Sequence, residues 1–336
     1  MMFKSFAKAL LAAPVLLGLA ACENPSPKLV GEPPRETRKS EGTELQTFNP
    51  SVDILFVIDD SGSMYTHQKN MQDNVDLFTN GIATNKFVDY HIGVITTSDN
   101  YSAHLNNGGG VLSGRTKFID RSTVNGMDIL KQNIMVGTSG SGWERVFDPL
   151  NLALTEPNLS GRNVGFYRPS AYLAIVIITD AEDQSDKFDA NQIHQFLLNM
   201  KKGDSSKILS YGVIIPTNDS TGCSRDEYNA PPRRIEDFFS LTKGQFYGLC
   251  DPDYGTKLAR IGSDLVERIG RRVLLDRRPI IDTVEVTYGA QLIEPHPDTG
   301  WSYDATDNAI VLGRRIQWTE QPDGTTVQVY FKPAQP

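Results

Sequence analysis

Val52-Asp53-Ile54-Leu55-Phe56-Val57-Ile58-Asp59-Asp60-Ser61-Gly62-Ser63 joins a nearly unbroken apolar run to a short acidic and hydroxylic one. The apolar part is strand length and rich in β-branched residues. Continuous apolarity predicts a strand buried on both faces, as in a parallel sheet covered by helices. At its end Asp59, Ser61 and Ser63 fall at i, i+2 and i+4, which extended backbone places on one side. A second run, Ala174-Ile175-Val176-Ile177-Ile178-Thr179-Asp180, repeats the pattern. As a parallel neighbour it would bring Asp180 to the edge where Asp59 stands. That is the carboxyl end of the strands, where open α/β sheets bind ligands. Two carboxylates plus hydroxyls form a hard, all-oxygen donor set that suits Mg²⁺, or Ca²⁺ and Mn²⁺ with less discrimination. Without sulfur or imidazole in the set, zinc is disfavoured. Alone, Asp-x-Ser-x-Ser reads equally as a cap and turn bonding local backbone. Its place after one buried strand, with another ending in Thr179-Asp180, favours the cation. Gly62 permits the tight passage between the hydroxyls. A helix predicted from near Met64 turns its positive end toward the site.

Outward from these runs, strands and helices alternate. A helical stripe passes through Met64, Met71, Val75, Phe78 and Ile82, and 88–96 reads as a strand. A long irregular section with Gly108-Gly109-Gly110 at its turn follows, and then Trp143, Val146, Phe147, Leu150 and Leu154 recur at helix spacing. Helices are expected over 188–202, 234–242 and 254–271, with strands over 208–215 and 245–249. The pattern predicts an α/β fold, a doubly wound and mostly parallel sheet flanked by helices, over residues 49–275. From about Arg278 only short alternating segments remain, so 279–336 is expected to be a small all-β module, too short for a core of its own.

The first motif and Asp180 resemble the von Willebrand factor A family. Its metal-ion-dependent adhesion site has Asp-x-Ser-x-Ser after the first strand, a Thr on a later loop and an Asp ending the fourth strand. Asp59, Ser61 and Ser63 match the first part fully and Asp180 matches the last. The loop Gly137-Thr138-Ser139-Gly140-Ser141-Gly142 stands where the family places its Thr. The resemblance selects Thr138, with Ser139 and Ser141 as alternatives because the loop departs from the usual Thr-x-Thr spacing. It covers about two-thirds of the chain and excludes the β tail. It implies an electrophilic Mg²⁺ with one coordination position open to an Asp or Glu of a partner protein.

The N-terminus carries Lys4 and Lys8, then a continuously apolar stretch over 9–21 broken only by Pro14 and Gly18. It fits the h-region of a signal peptide, residues 1–21. Leu19-Ala20-Ala21-Cys22 resembles the bacterial lipobox, which makes Cys22 the lipidated (palmitate-bearing) first residue of the mature chain; an ordinary secretory signal with an incidental Cys is the alternative. Several acyl chains on one Cys meet the requirement that stable anchoring takes more than one lipid signal. Glu23 in the next position points to the outer membrane of a Gram-negative bacterium. Residues 22–48, with Pro25, Pro27, Pro33 and Pro34 and few large apolar side chains, are expected to be a flexible tether.

Cys223 and Cys250 are then the remaining cysteines, 27 positions apart and flanked by polar loop residues. In an exported protein they form either a disulfide or two buried thiols, and the polar surroundings favour the disulfide. Glu182, Asp183, Ser185 and Asp186 crowd behind Asp180, as a solvated acidic loop or a second cation site, and Glu144 reads as a first-turn acid of the Trp143 helix. The five histidines, His67, His91, His104, His194 and His296, show no metal spacing. No P-loop or nucleophile elbow is present.

The 336 residues are 39% hydrophobic and 22% charged, ordinary globular composition, with formal net charge −8. Loss of the signal peptide removes Lys4 and Lys8 and no acid, so the charge becomes −10. An acidic chain without a basic stripe excludes nucleic acid as the expected partner. The expectation is a non-enzymatic, lipid-anchored adhesion or protein-binding module of the cell envelope. The alternative is a structural or assembly lipoprotein in which the metal only rigidifies loops. An enzyme ranks last, because hydrolytic metal sites usually add a His or a second metal.

Overall fold

In the computed structural model, which describes residues 42–83, 85, 87–102, 107–220, 222–223, 230–322 and 324–335, the run 52–58 is buried throughout within the strand Ser51–Ile58. The signal peptide, Cys22 and the tether up to residue 41 lie outside the described residues. In chain order the elements are β1 (Glu44–Phe48), β2 (Ser51–Ile58), α1 (Tyr65–Ala83), β3 (Asp89–Thr96), β4 (Phe118–Ile119), α2 (Gly126–Ile134), α3 (Phe147–Ala153), β5 (Tyr172–Thr179), α4 (Ala190–Met200), β6 (Ile208–Ile214), α5 (Arg233–Thr242), β7 (Gln245–Gly248), α6 (Tyr254–Ile269), β8 (Arg272–Leu274), β9 (Glu285–Tyr288), β10 (Gln291–Ile293), β11 (Trp301–Asp304), β12 (Ala309–Leu312) and β13 (Val327–Phe331). Among the described residues no helix is long and apolar enough to cross a membrane.

The central sheet has six strands in the order β4-β3-β2-β5-β6-β7, parallel except for β4. The two strongest apolar runs are therefore neighbours at its centre. Alternate residues of β2 enter different cores. Val52, Ile54, Phe56 and Ile58 pack with side chains from α1, α2 and α6. Leu55 and Val57 pack with side chains from α3, α4 and α5. This two-sided burial is why β2 and β5 lack polar alternation. The stripe expected on α1 is fully covered, and α6 packs on it at unusually short range. A Cβ on Gly262 would sit 2.1 Å from the carbonyl oxygen of Phe78, so only glycine lets the two backbones approach this closely.

Two helical readings change. The helix expected from Trp143 starts at Phe147, and Trp143 is 68% exposed before it. The section expected to be irregular contains α2, whose single buried turn of Leu130 and Ile134 is too short to show as a stripe. The C-terminal region forms antiparallel sheets β1-β13-β9-β10 and β11-β12-β8 around a third core. Strands from outside 279–336 complete both. β8 pairs with β12, and Glu44–Phe48, expected as the end of the tether, pairs with Val327–Phe331 from Glu44↔Phe331 to Phe48↔Val327. The short tail thus gains a core by borrowing strands. Phe87 from the α/β portion also enters it, with ring centroids 4.9 Å from Tyr288 and 4.6 Å from Trp318.

Cys223 and Cys250 are bonded, with Cα atoms 5.4 Å apart. The bridge joins the segment after β6 to the end of β7. Closing a loop of this length contributes about 3–4 kcal/mol through the unfolded chain. Replacing both cysteines by Ser should lower stability by about that amount, read from urea unfolding with a lower midpoint; an unmoved midpoint would contradict it.

Candidate metal centre

The register Ile58↔Ile178 sets the end of β2 beside the end of β5. The Asp59 amide donates to the Ile178 carbonyl at 3.0 Å, so Asp59 stands level with Thr179. Its carboxylate accepts from the Ser61 amide at 2.8 Å and the Thr179 hydroxyl at 2.6 Å. Ser61 and Ser63 hold their hydroxyl oxygens 3.1 Å apart. Asp180 follows directly and is 7% exposed, and its Oδ1 is buried with no hydrogen-bond partner among the described residues. The structure thus brings Asp59, Ser61, Ser63 and Asp180 to one edge, as their positions in the sequence predict.

The loop over 137–145 covers this edge. Gly137 is clamped by Gln68 of α1, whose side-chain amide donates to the Gly137 carbonyl at 2.8 Å and to that of Asp59 at 2.9 Å. The Gly140 amide donates to the Asp60 carbonyl at 2.9 Å. A Cβ on Gly140 would lie 2.2 Å from the Asp60 carboxyl carbon, so the loop closes over Asp60 only as glycine. Asp60 itself turns toward β3 and accepts from the Ser98 hydroxyl at 2.9 Å. Ser139 and Ser141 line a recess of about 280 Å³ on that side, with Asp60, Ser98, Asp99 and Asn107. Thr138 is half-buried beside the Gln68 clamp. No hydrogen bond joins it to Asp59, Ser61 or Asp180 among the described residues.

Glu144 belongs to no helix. It is 5% exposed, its carbonyl accepts from the Gln184 amide at 2.8 Å, and its carboxylate from the Gln184 side chain at 3.2 Å. Burial pushes its carboxyl up to about 7, and the charges of Asp59, Asp180 and Asp60 add to the rise. Asp59 is likewise pushed up to about 6, chiefly by burial, with Asp180 adding and the Thr179 hydroxyl opposing. His67, on the first turns of α1, is lowered by burial, and Asp180 opposes the shift. The site therefore has an acid and an imidazole in its neighbourhood that the sequence reading left out. A buried acid just before a helix looks like an ordinary first-turn acid until the helix start is fixed.

The acids behind Asp180 are structural rather than a solvated loop. Asp183 accepts from the Val146 and Phe147 amides at 2.7 and 3.2 Å, and the Ser185 hydroxyl oxygen from the Phe147 and Asp148 amides at 3.0 Å, which caps α3. Glu182 accepts from the Arg234 amide at 3.0 Å at the start of α5, and Asp186 pairs with Arg145 at 2.7 Å. These roles fill the acids that a second cation would need.

The donor set fits a hard divalent cation. Buried acids face one another, Asp180 Oδ1 has no donor, and no ion pair reaches Asp59, Asp60, Glu144 or Asp180 among the described residues. Burial raises the Asp59 and Glu144 carboxyls and the Asp180 charge adds to both, so keeping them ionised costs folding energy that a cation would remove. Among the described residues no three His, Cys, Asp or Glu side chains close into a ligand group by themselves. A cation here therefore depends on the Ser61 and Ser63 hydroxyls as well as on acids.

No protein family and no curated protein matches the sequence. Solved structures similar to the chain include proximal thread matrix protein 1 from the mussel byssus, at 11% identity and TM-score 0.40 over 70% of this chain and 51% of that one. A second structure of that protein, described with a zinc-occupied MIDAS motif, is 14% identical at TM-score 0.37 over 66% and 48%. A von Willebrand factor type A protein from Catenulispora acidiphila is 11% identical at TM-score 0.38 over 88% and 65%. The pilus adhesin SpaC from Lactobacillus rhamnosus GG is 10% identical at TM-score 0.41 over 86% and 41%. The chain thus spans about half the length of the mussel protein and less than two-thirds of the others.

Proposed function

We propose that the chain is a lipid-anchored, cation-dependent protein-binding module of the cell envelope. It carries a von Willebrand factor A-like head that engages an acidic residue of a partner protein. The observation that carries this reading is the meeting of Asp59, Ser61, Ser63 and the unpartnered Asp180 Oδ1 at the carboxyl edge of a parallel sheet. Ser61, Ser63, Asp59 and Asp180 would hold the ion, with Mg²⁺ preferred for its hard oxygen donors, and Thr138 stands as the family's loop ligand. The bound ion would supply positive charge for an external carboxylate. The surface around it suits docking: Trp143 on the covering loop is 68% exposed and Tyr65 at the start of α1 is 59% exposed. Exposed aromatic side chains of this kind anchor protein interfaces.

Attachment is assigned to acyl chains on Cys22, with residues beyond it spacing the head from the outer membrane. Cys22→Ser should move the protein from the membrane to the soluble fraction; an unchanged membrane pool without lipid on the mature N-terminus would remove the anchor. Crosslinking in intact envelopes should capture a partner in Mg²⁺ and lose it in EDTA. Capture that ignores EDTA would leave the metal structural and move the contact to the β tail.

A further inference from the structure

We propose that Glu144 is a third acid beside the cation position, acting on the ion by its charge from the covering loop and not as a ligand. This rests on the metal reading above and deepens it. Three hydrogen bonds fix the position. The Arg145 amide donates to the Thr97 carbonyl beyond the end of β3 at 3.1 Å, the Glu144 carbonyl accepts from the Gln184 amide beyond β5 at 2.8 Å, and the Gly140 amide donates to the Asp60 carbonyl beyond β2 at 2.9 Å. Because the strands run β3-β2-β5, a residue tied to both outer ends lies over the central one, where Asp59 stands.

The side chain accepts from the Gln184 side-chain amide at 3.2 Å and is shut off from solvent. The guanidinium groups nearby are committed elsewhere. Arg145 pairs with Asp99 and Asp186, and Arg234 with Asp183. Asp180 Oδ1, buried and without a donor, independently marks a missing positive partner in the same cluster. Asp59, Asp180 and Glu144 then set three negative charges against one divalent ion. Since these acids do not form a ligand trio on their own, what Glu144 brings is charge at close range, and groups of that kind typically change metal affinity by about 10–100-fold.

The test is calorimetry with Mg²⁺, Ca²⁺ and Mn²⁺ on the whole protein, alongside melting of the metal-free form. Glu144→Gln keeps the shape and the acceptor for Gln184 while removing the charge. It should weaken each ion about tenfold or more and leave the metal-free melting point unchanged or higher, because an uncompensated buried charge is gone. Glu144→Asp keeps the charge and should retain most of the affinity. Undiminished affinity in Glu144→Gln, with the wild type binding, would overturn the role of Glu144 and leave the site standing. A wild type that binds none of the ions would overturn both.

Discussion

Asp59→Ala should lower divalent-cation affinity about 100-fold or more, beyond the usual effect of residues that only support a ligand. The substitution removes a hard oxygen donor, or the acceptor for an ion-bound water, and one of the charges that balance the cation. The domain should remain folded. Asp59 is fully buried, but it lies at the sheet edge, and its loss also relieves an acid pushed up to about 6 by burial and by Asp180. Against that relief, the Thr179 hydroxyl and the Ser61 amide lose their acceptor, at about 1–3 kcal/mol for each such group. Ser63→Ala should weaken binding less, because water can replace a neutral hydroxyl. Circular dichroism separates loss of the site from loss of the fold. Metal binding that survives Asp59→Ala would refute the assigned ligands.

Arg168→Ala should cost about 3–5 kcal/mol, the usual result of stranding a buried charge. At the end of the sheet opposite the metal centre, Asp53 is fully buried in the otherwise apolar β2. Arg168 satisfies it twice, from its backbone amide at 2.6 Å and from Nε at 2.7 Å. The same guanidinium donates to the Val52 carbonyl at 3.0 Å and pairs with Asp89. Burial raises the Asp53 carboxyl, and Arg168 is the main opposing influence. Urea unfolding of Arg168→Ala, Asp53→Ala and the double variant measures the coupling. A loss below about 1 kcal/mol in Arg168→Ala would show that Asp53 is satisfied without it.

The sheet was legible because burial on both faces writes itself into β2 and β5 as unbroken apolar runs. The meeting of Asp59 with Asp180 followed from taking those runs as parallel neighbours, and the Ile58↔Ile178 register bears that out. The role of Thr179 as donor to Asp59 was not legible, because it depends on that register to the residue. Trp143 misled because it continues the spacing of Val146, Phe147 and Leu150, yet Asp183 and Ser185 cap α3 four residues later. The burial of Glu144 follows from the same shift. β1 was illegible for a different reason, since its partner, β13, lies at the other end of the chain and local composition carries no sign of it.

The most direct test of a cation at the Asp59–Asp180 edge is titration of the purified, chelator-stripped protein with Mg²⁺ and Mn²⁺ by calorimetry, paired with thermal melting. One equivalent should bind saturably, and at a hundredfold excess over Kd the ion should stabilise the fold by about 2.7 kcal/mol, reversed by EDTA. A heat-silent titration with an unmoved melting point would contradict the account.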